Sequence, residues 1–174
     1  MKTILSLFCV ILCGLLWSCS PIQSYSPIPE IHFVSLSFED VNTPLGIQKM
    51  AVLTFSFIDG DGDIGAKTEN CNSRIHYTWY KKLSDGNYEP FVFPATGTTT
   101  DSIAIPWDRV MDREGAQNKL LRGTIRMELT MPRNPQDADY MHIRYFIFDR
   151  ARNQSNIDRT PDFNILDLPD IIHP

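Results

Sequence analysis

The sequence predicts an all-β fold, an antiparallel β-sandwich of seven to eight strands, on three observations. Apolar and polar residues alternate with a period of two in segment after segment, the mark of strands with one buried face. Turn-forming residues (Gly, Pro, Asn, Asp and Ser) separate those segments at short intervals. Only the stretch 108–120 carries a helical pattern, and Gly115 interrupts it.

Taken in order, Val34, Leu36 and Phe38 mark the inward face of a first strand, and Ala51, Leu53, Phe55 and Phe57 that of a second. Ile75, Tyr77 and Trp79 share one face of a third, at 74–81. A fourth runs from Tyr88 to Phe93, entered through the hairpin turn Ser84-Asp85-Gly86-Asn87. Ser102–Ile105 is short. Ile125, Met127, Leu129 and Met131 alternate with Thr124, Arg126, Glu128 and Thr130 in the cleanest amphipathic strand of the chain. Met141, Ile143, Tyr145 and Ile147 form the next, and Phe146 and Phe148 make its second face apolar, which places it centrally in a sheet. Residues 156–160 are a candidate last strand. The tail Phe163–Pro174 is apolar enough either to close the sandwich or to dock on a partner; closure is the favoured reading.

Short strands in this number, with a tryptophan midway along the third, fit an immunoglobulin-like sandwich. Asp139-Tyr140 is placed to form a tyrosine corner. The cross-sheet cysteine pair of such domains is absent, because His142 stands two residues after Tyr140. Packing alone must then hold the sheets together.

The N-terminus reads as an export signal. Met1 and Lys2 open it with a positive charge, an apolar run extends from Ile4 to Trp17, and Leu16-Trp17-Ser18-Cys19 follows. The run is short of the roughly 20 residues that a spanning helix needs. Plain secretion with cleavage near Ser20 and an uncleaved anchor are the rival readings. The small Ser18 before Cys19 resembles a bacterial lipoprotein signal, which implies a signal peptide over residues 1–18, a lipidated cysteine and tether over 19–30, and the domain over 31–174. Pro21, Pro27 and Pro29 favour an extended spacer, which at about 3.1 Å per residue would hold the domain up to roughly 30 Å off a bilayer.

Composition narrows the function. The chain has 16 Lys and Arg against 21 Asp and Glu, a net charge of −5, and no basic stripe, so nucleic acid is not an expected partner. Cys9 and Cys13 lie in the apolar leader. With Cys19 acylated, Cys71 is the one thiol left and no intramolecular disulfide can form. His32, His76, His142 and His173 lack metal-ligand spacing, and no nucleophile elbow, phosphate-cradling loop or dinucleotide fingerprint occurs. Trp107, Tyr80, Tyr88 and Phe91 are candidates for a sugar-binding aromatic platform, though strand aromatics more often belong to a core; Trp107 is the better surface candidate.

One segment concentrates charge. Phe57-Ile58-Asp59-Gly60-Asp61-Gly62-Asp63-Ile64-Gly65 sets three aspartates at alternate positions among glycines. Clustered carboxylates repel, and a hard, oxygen-seeking cation such as calcium relieves the repulsion. The spacing is not that of an EF-hand, since the sixth position is Ile64 and the twelfth Asn70, with Glu69 one residue out of place. If the strand ending at Ile58 and the strand ending at Phe148 take the second and sixth places of an immunoglobulin-like topology, their exits emerge at the same end. Asp149 and Asn153 could then join Asp59, Asp61 and Asp63 around one calcium ion. The alternative is a solvated turn with an Asp149–Arg pair.

The leader ending in Cys19, the Phe57–Gly65 motif and Asp149-Arg150-Ala151-Arg152-Asn153 together resemble a group of Gram-negative lipoproteins of unknown function with an Ig-like domain. The similarity covers most of residues 31–160. It implies lipidation of Cys19 and an address in the cell envelope, at the outer membrane, with the periplasmic and surface faces both open. It implies no reaction. Arg152 stands where such a turn calls for glycine. The expected function is a non-catalytic binding or scaffolding module, held to a membrane through the lipid on Cys19, with an envelope protein or glycan as partner. A metal-dependent glycan- or phosphoester-processing enzyme using Asp59, Asp61 and Asp63, and a structural subunit of an envelope complex, are the alternatives.

Overall fold

A computed structural model describes residues 25–44, 46–65, 72–105, 120–132 and 139–174. The leader, Cys19, Cys71, Trp107 and the helix-like stretch up to Lys119 lie outside the described residues. Ten strands run through the described residues: β1 (Glu30–Thr43), β2 (Gly46–Asp59), β3 (Arg74–Lys82), β4 (Tyr88–Pro90), β5 (Thr100–Ala104), β6 (Leu121–Thr130), β7 (Tyr140–Phe148), β8 (Asp158–Arg159), β9 (Phe163–Asn164) and β10 (Ile171–Ile172). The fold is all-β, and the described residues contain no helix.

Two antiparallel sheets form an immunoglobulin-like sandwich. One has the order β10-β1-β2-β6; in the other, β3 and β7 pair centrally, with β4 and β5 on the free edge of β3 and β8 and β9 on that of β7. The alternation written into the chain sets what each sheet buries. Across β2 and β6, Leu53 lies opposite Met127 and Ala51 opposite Leu129; across β3 and β7, Ile75 lies opposite Ile147, Tyr77 opposite Tyr145 and Trp79 opposite Ile143. All ten side chains are buried. Aromatic contacts tie the layers together, with Phe55 on Tyr145 and Phe38 on Phe163, both at 5.0 Å. Cutting Leu53 or Ile143 back to alanine in such a core costs about 2–5 kcal/mol.

Strict alternation misplaces one residue. Ile31 and Phe33 face the core at the start of β1, but a bulge between Phe33 and Ser35 resets the pairing, so that Leu36 and Phe38 face inward beyond it. Val34 falls at the bulge and is 37% exposed.

The edge of β1 is closed in two ways. Near its start, Asn156 Oδ1 accepts from Ile31 N at 2.8 Å while Asn156 Nδ2 donates to Ile31 O, and Asp158 Oδ2 accepts from Phe33 N. Farther along, Leu36 and Ser37 pair with β10. The candidate strand 156–160 therefore contributes only the two-residue β8; its side chains serve β1 instead. The tail closes the sandwich, with Phe163 in the core and β10 on β1.

Tyr140 forms no tyrosine corner. Alternation along β7 puts Met141 and Ile143 inward, so Tyr140 shares the outer face with His142; it is 45% exposed, with Lys82 Nζ 5.8 Å from its ring.

Candidate cation site at the β2 and β7 exits

Asp59 is the last residue of β2 and is fully buried. Its Oδ2 accepts from Asp63 N at 2.8 Å and Ile64 N at 3.1 Å, which folds the next turn back over the strand end. Ile64 then drops into the core with no exposure, and Gly65 N donates to the buried Ser73 Oγ at 2.7 Å. Gly62 (φ 69°) and Gly65 (φ 100°) occupy the left-handed region that a side chain disfavours. Ile64, which rules out an EF-hand, is thus the pin that holds the loop.

Asp149 follows β7 and is also fully buried. Asn153 holds it from behind: its backbone N donates to Asp149 Oδ1 and its Nδ2 to Asp149 Oδ2, both at 2.7 Å. Arg152 adopts φ 71° in this turn, the left-handed conformation that glycine takes without strain. The two loops are joined directly. Ala151 N donates to Asp63 Oδ2 at 2.9 Å, and Arg150 N donates to Asp63 O at 3.3 Å.

Asp59, Asp61, Asp63 and Asp149 thereby each place a carboxylate oxygen within 4.8 Å of the others. Asn153, expected as a further ligand, positions Asp149 through its backbone N and its Nδ2. Oδ1 of Asp59, of Asp61 and of Asp63 is buried without a hydrogen-bond partner. Burial, reinforced by the neighbouring Asp61 and Asp63, pushes the Asp59 carboxyl up to about 7. Burial also raises Asp63, helped by the charges of Asp149 and Asp61. So many buried acceptors facing one another lack any donor, and a bound cation would supply what they need. Oxygens on opposite sides of calcium lie about 4.6–5.2 Å apart and around magnesium about 4.0–4.2 Å, so carboxylates within 4.8 Å of one another are close enough to share a hard divalent cation.

Sequence reasoning missed the loop's third neighbour. The segment 25–30, read as spacer, belongs to the fold. Gly60 N donates to Ser26 O at 3.0 Å, Asn153 Nδ2 to Pro27 O at 3.3 Å, and Pro29 is buried. Carbonyl acceptors carry no sequence signal, which is why this contact was illegible.

The expected aromatic platform is partly dispersed. Phe91 belongs to the core. Tyr80 and Tyr88 enclose His142 on the outer face of the β3–β7 sheet, Tyr80 stacked at 5.2 Å and Tyr88 tilted at 4.6 Å, with the Arg144 guanidinium 4.5 Å from the Tyr80 ring centroid. A shallow pocket of about 330 Å³ opens nearby, between Lys82, Leu83, Ser84, Asp139 and Tyr140. His76 stacks on Phe146 farther along the same face, and His32 is an exposed partner of Glu30.

Comparison with protein families, with curated proteins and with solved structures returned no match.

Proposed function

We propose that this chain is an exported lipoprotein whose immunoglobulin-like domain is a non-catalytic binding or scaffolding module, stabilised by calcium held between Asp59, Asp61, Asp63 and Asp149. The observation that carries the calcium reading is the set of buried, unpartnered carboxylate oxygens on Asp59, Asp61 and Asp63. A structural rather than catalytic ion follows from how the cluster is enclosed. Asp59 and Asp149 are fully buried, and backbone N–H groups occupy the second oxygens of Asp59 and Asp63. The lipoprotein reading rests on the Met1–Cys19 leader. Acyl chains on Cys19 would contribute about 0.8 kcal/mol per buried methylene, and two or more chains make attachment stable. The partner is an envelope protein or glycan, for which the outer face around Tyr80 and Tyr88 offers aromatic surface.

Melting in Ca²⁺ and in chelator tests the ion. Calcium at 100-fold over its Kd adds about 2.7 kcal/mol, or about 5–10 °C for a domain of this size. Asp61→Asn should abolish the difference; a melting point indifferent to Ca²⁺ in the unsubstituted protein rejects the site. Mass spectrometry of material from its own envelope tests the address, with an unacylated Cys19 as the contrary result.

A further inference from the structure

We propose that the acidic cluster, when it holds its cation, clamps the segment Tyr25–Pro29 against the domain, so that cation binding sets how far the domain stands from its anchor. This rests on the calcium reading and on the acylation of Cys19 proposed above. It deepens the calcium reading by giving the ion a task beyond stability.

The geometry comes from donors on the residues that build the site. Gly60 sits between Asp59 and Asp61, and its N–H points at Ser26 O. Asn153, which holds Asp149 through two bonds, turns its remaining amide proton to Pro27 O. Two carbonyls of the segment, Ser26 O and Pro27 O, are therefore gripped by the two loops whose carboxylates face one another, one by each loop. The fit is close at Gly60, where a Cβ would collide with the Ser26 carbonyl. A side-chain contact adds to the seat: Arg122 lies over the Tyr25 ring at 5.8 Å and its Nη2 donates to the Tyr25 hydroxyl at 3.4 Å.

The cluster itself points to a ligand. Asp59 is fully buried and its Oδ1, aimed among the other three carboxylates, has no partner. Without a cation, four carboxylates within 4.8 Å drive the two loops apart, and the Gly60 and Asn153 donors lose their common aim. With one, both loops hold the positions that present those donors. The ion and the segment then favour the same loop arrangement, and by linkage each strengthens the binding of the other.

The consequence lies along the chain toward Cys19. With the clamp closed, only residues 20–24 separate the acylated cysteine from the docked Tyr25. Releasing Tyr25–Pro29 adds roughly 15 Å of reach at about 3.1 Å per residue. A module near its membrane in calcium would stand off farther without it.

The test uses chymotrypsin, whose cut after Tyr25 requires the segment to leave the domain. The processed protein, purified from its membrane, is digested with saturating Ca²⁺ and with EGTA, while calorimetry measures Ca²⁺ binding directly. Cleavage after Tyr25 is expected to be at least tenfold slower in Ca²⁺. Gly60→Ala keeps every carboxylate but displaces Ser26. It should cleave quickly in both conditions and bind Ca²⁺ about tenfold more weakly. Arg122→Ala, at an exposed position outside the loops, should act in the same direction to a smaller extent. If calorimetry shows Ca²⁺ binding while cleavage proceeds at one rate in both conditions, the clamp is wrong and the cation site stands. If calorimetry shows no binding, both fall.

Discussion

At one end of β7, His142 lies fully buried between two tyrosine rings; at the other, Asp149 lies fully buried among three more aspartates. Both ends contain buried polar atoms without partners: the two ring nitrogens of His142, and Oδ1 of Asp59, Asp61 and Asp63. The two ends meet that cost differently. A histidine can shed its charge, and burial holds His142 down to about 4. Asp162 Oδ1 stands 3.4 Å from Nδ1, too long for a well-formed hydrogen bond, while the second oxygen of Asp162 is bonded by the Tyr88 hydroxyl. The imidazole is therefore neutral packing material at neutral pH. Four converging carboxylates shed charge by taking up protons, the direction in which burial moves Asp59 and Asp63, or by binding a cation. Protonating Asp59 relieves one charge, and a cation would relieve the others together. On the calcium reading, the same degree of burial makes a self-sufficient site at one end and a ligand site at the other.

Removing Asp59 should separate the ends most sharply. In Ca²⁺, Asp59→Ala deprives the Asp63 and Ile64 N–H groups of their acceptor, at about 1–3 kcal/mol each, and removes the ion as well. In EGTA the loss should be clearly smaller, because deleting one carboxylate also relieves repulsion. Urea titrations giving the same loss in both conditions would mean that the cluster holds no ion.

The pH dependence of the two ends has opposite sign. His142, with a folded value of about 4 against 6.5 when unfolded, contributes stability that is present above pH 6.5 and lost as pH falls toward 4. Asp59, with a folded value of about 7 against 3.8 when unfolded, contributes stability that is present below about pH 4 and lost as pH rises through 7. In EGTA the two slopes oppose each other between pH 4 and 6.5. His142→Phe removes one of them, so the variant should melt higher than the parent at pH 5 and level with it at pH 8. A gain of equal size at both pH values would show that His142 acts through packing rather than titration. Saturating Ca²⁺ should remove the decline near pH 7, since binding displaces the proton from Asp59.

The smallest effect belongs to the Asp149 turn. Arg152→Gly relieves a left-handed residue at φ 71° and should stabilise the protein by about 1 kcal/mol. A melting point that drops instead would show that the Arg152 side chain contributes more than its backbone strain costs.

The core was legible wherever a strand keeps strict alternation. Ala51 through Phe57, Ile75 through Trp79 and Met141 through Ile147 are buried as their period predicts, because the pleat leaves no other choice once one face is covered. Val34 was misread for want of a third dimension, because a bulge is a pairing property invisible in a single strand; the outward face of Tyr140 was already written in the alternation of β7. The acidic motif was equally plain in sequence. Its association with Asp149 followed once an immunoglobulin-like topology was assumed, because that topology brings the exits of β2 and β7 to one end.

By itself the sequence determined the all-β class, the inward faces of the long strands and the presence of an acidic loop, since these depend on local alternation and composition. Only the tertiary structure decided which oxygens of that loop are orphaned, that Asn153 braces Asp149, and that Tyr25–Pro29 lies on the site. Those outcomes depend on backbone donors and acceptors, which every residue carries alike and which only the meeting of distant segments can pair or leave unpaired.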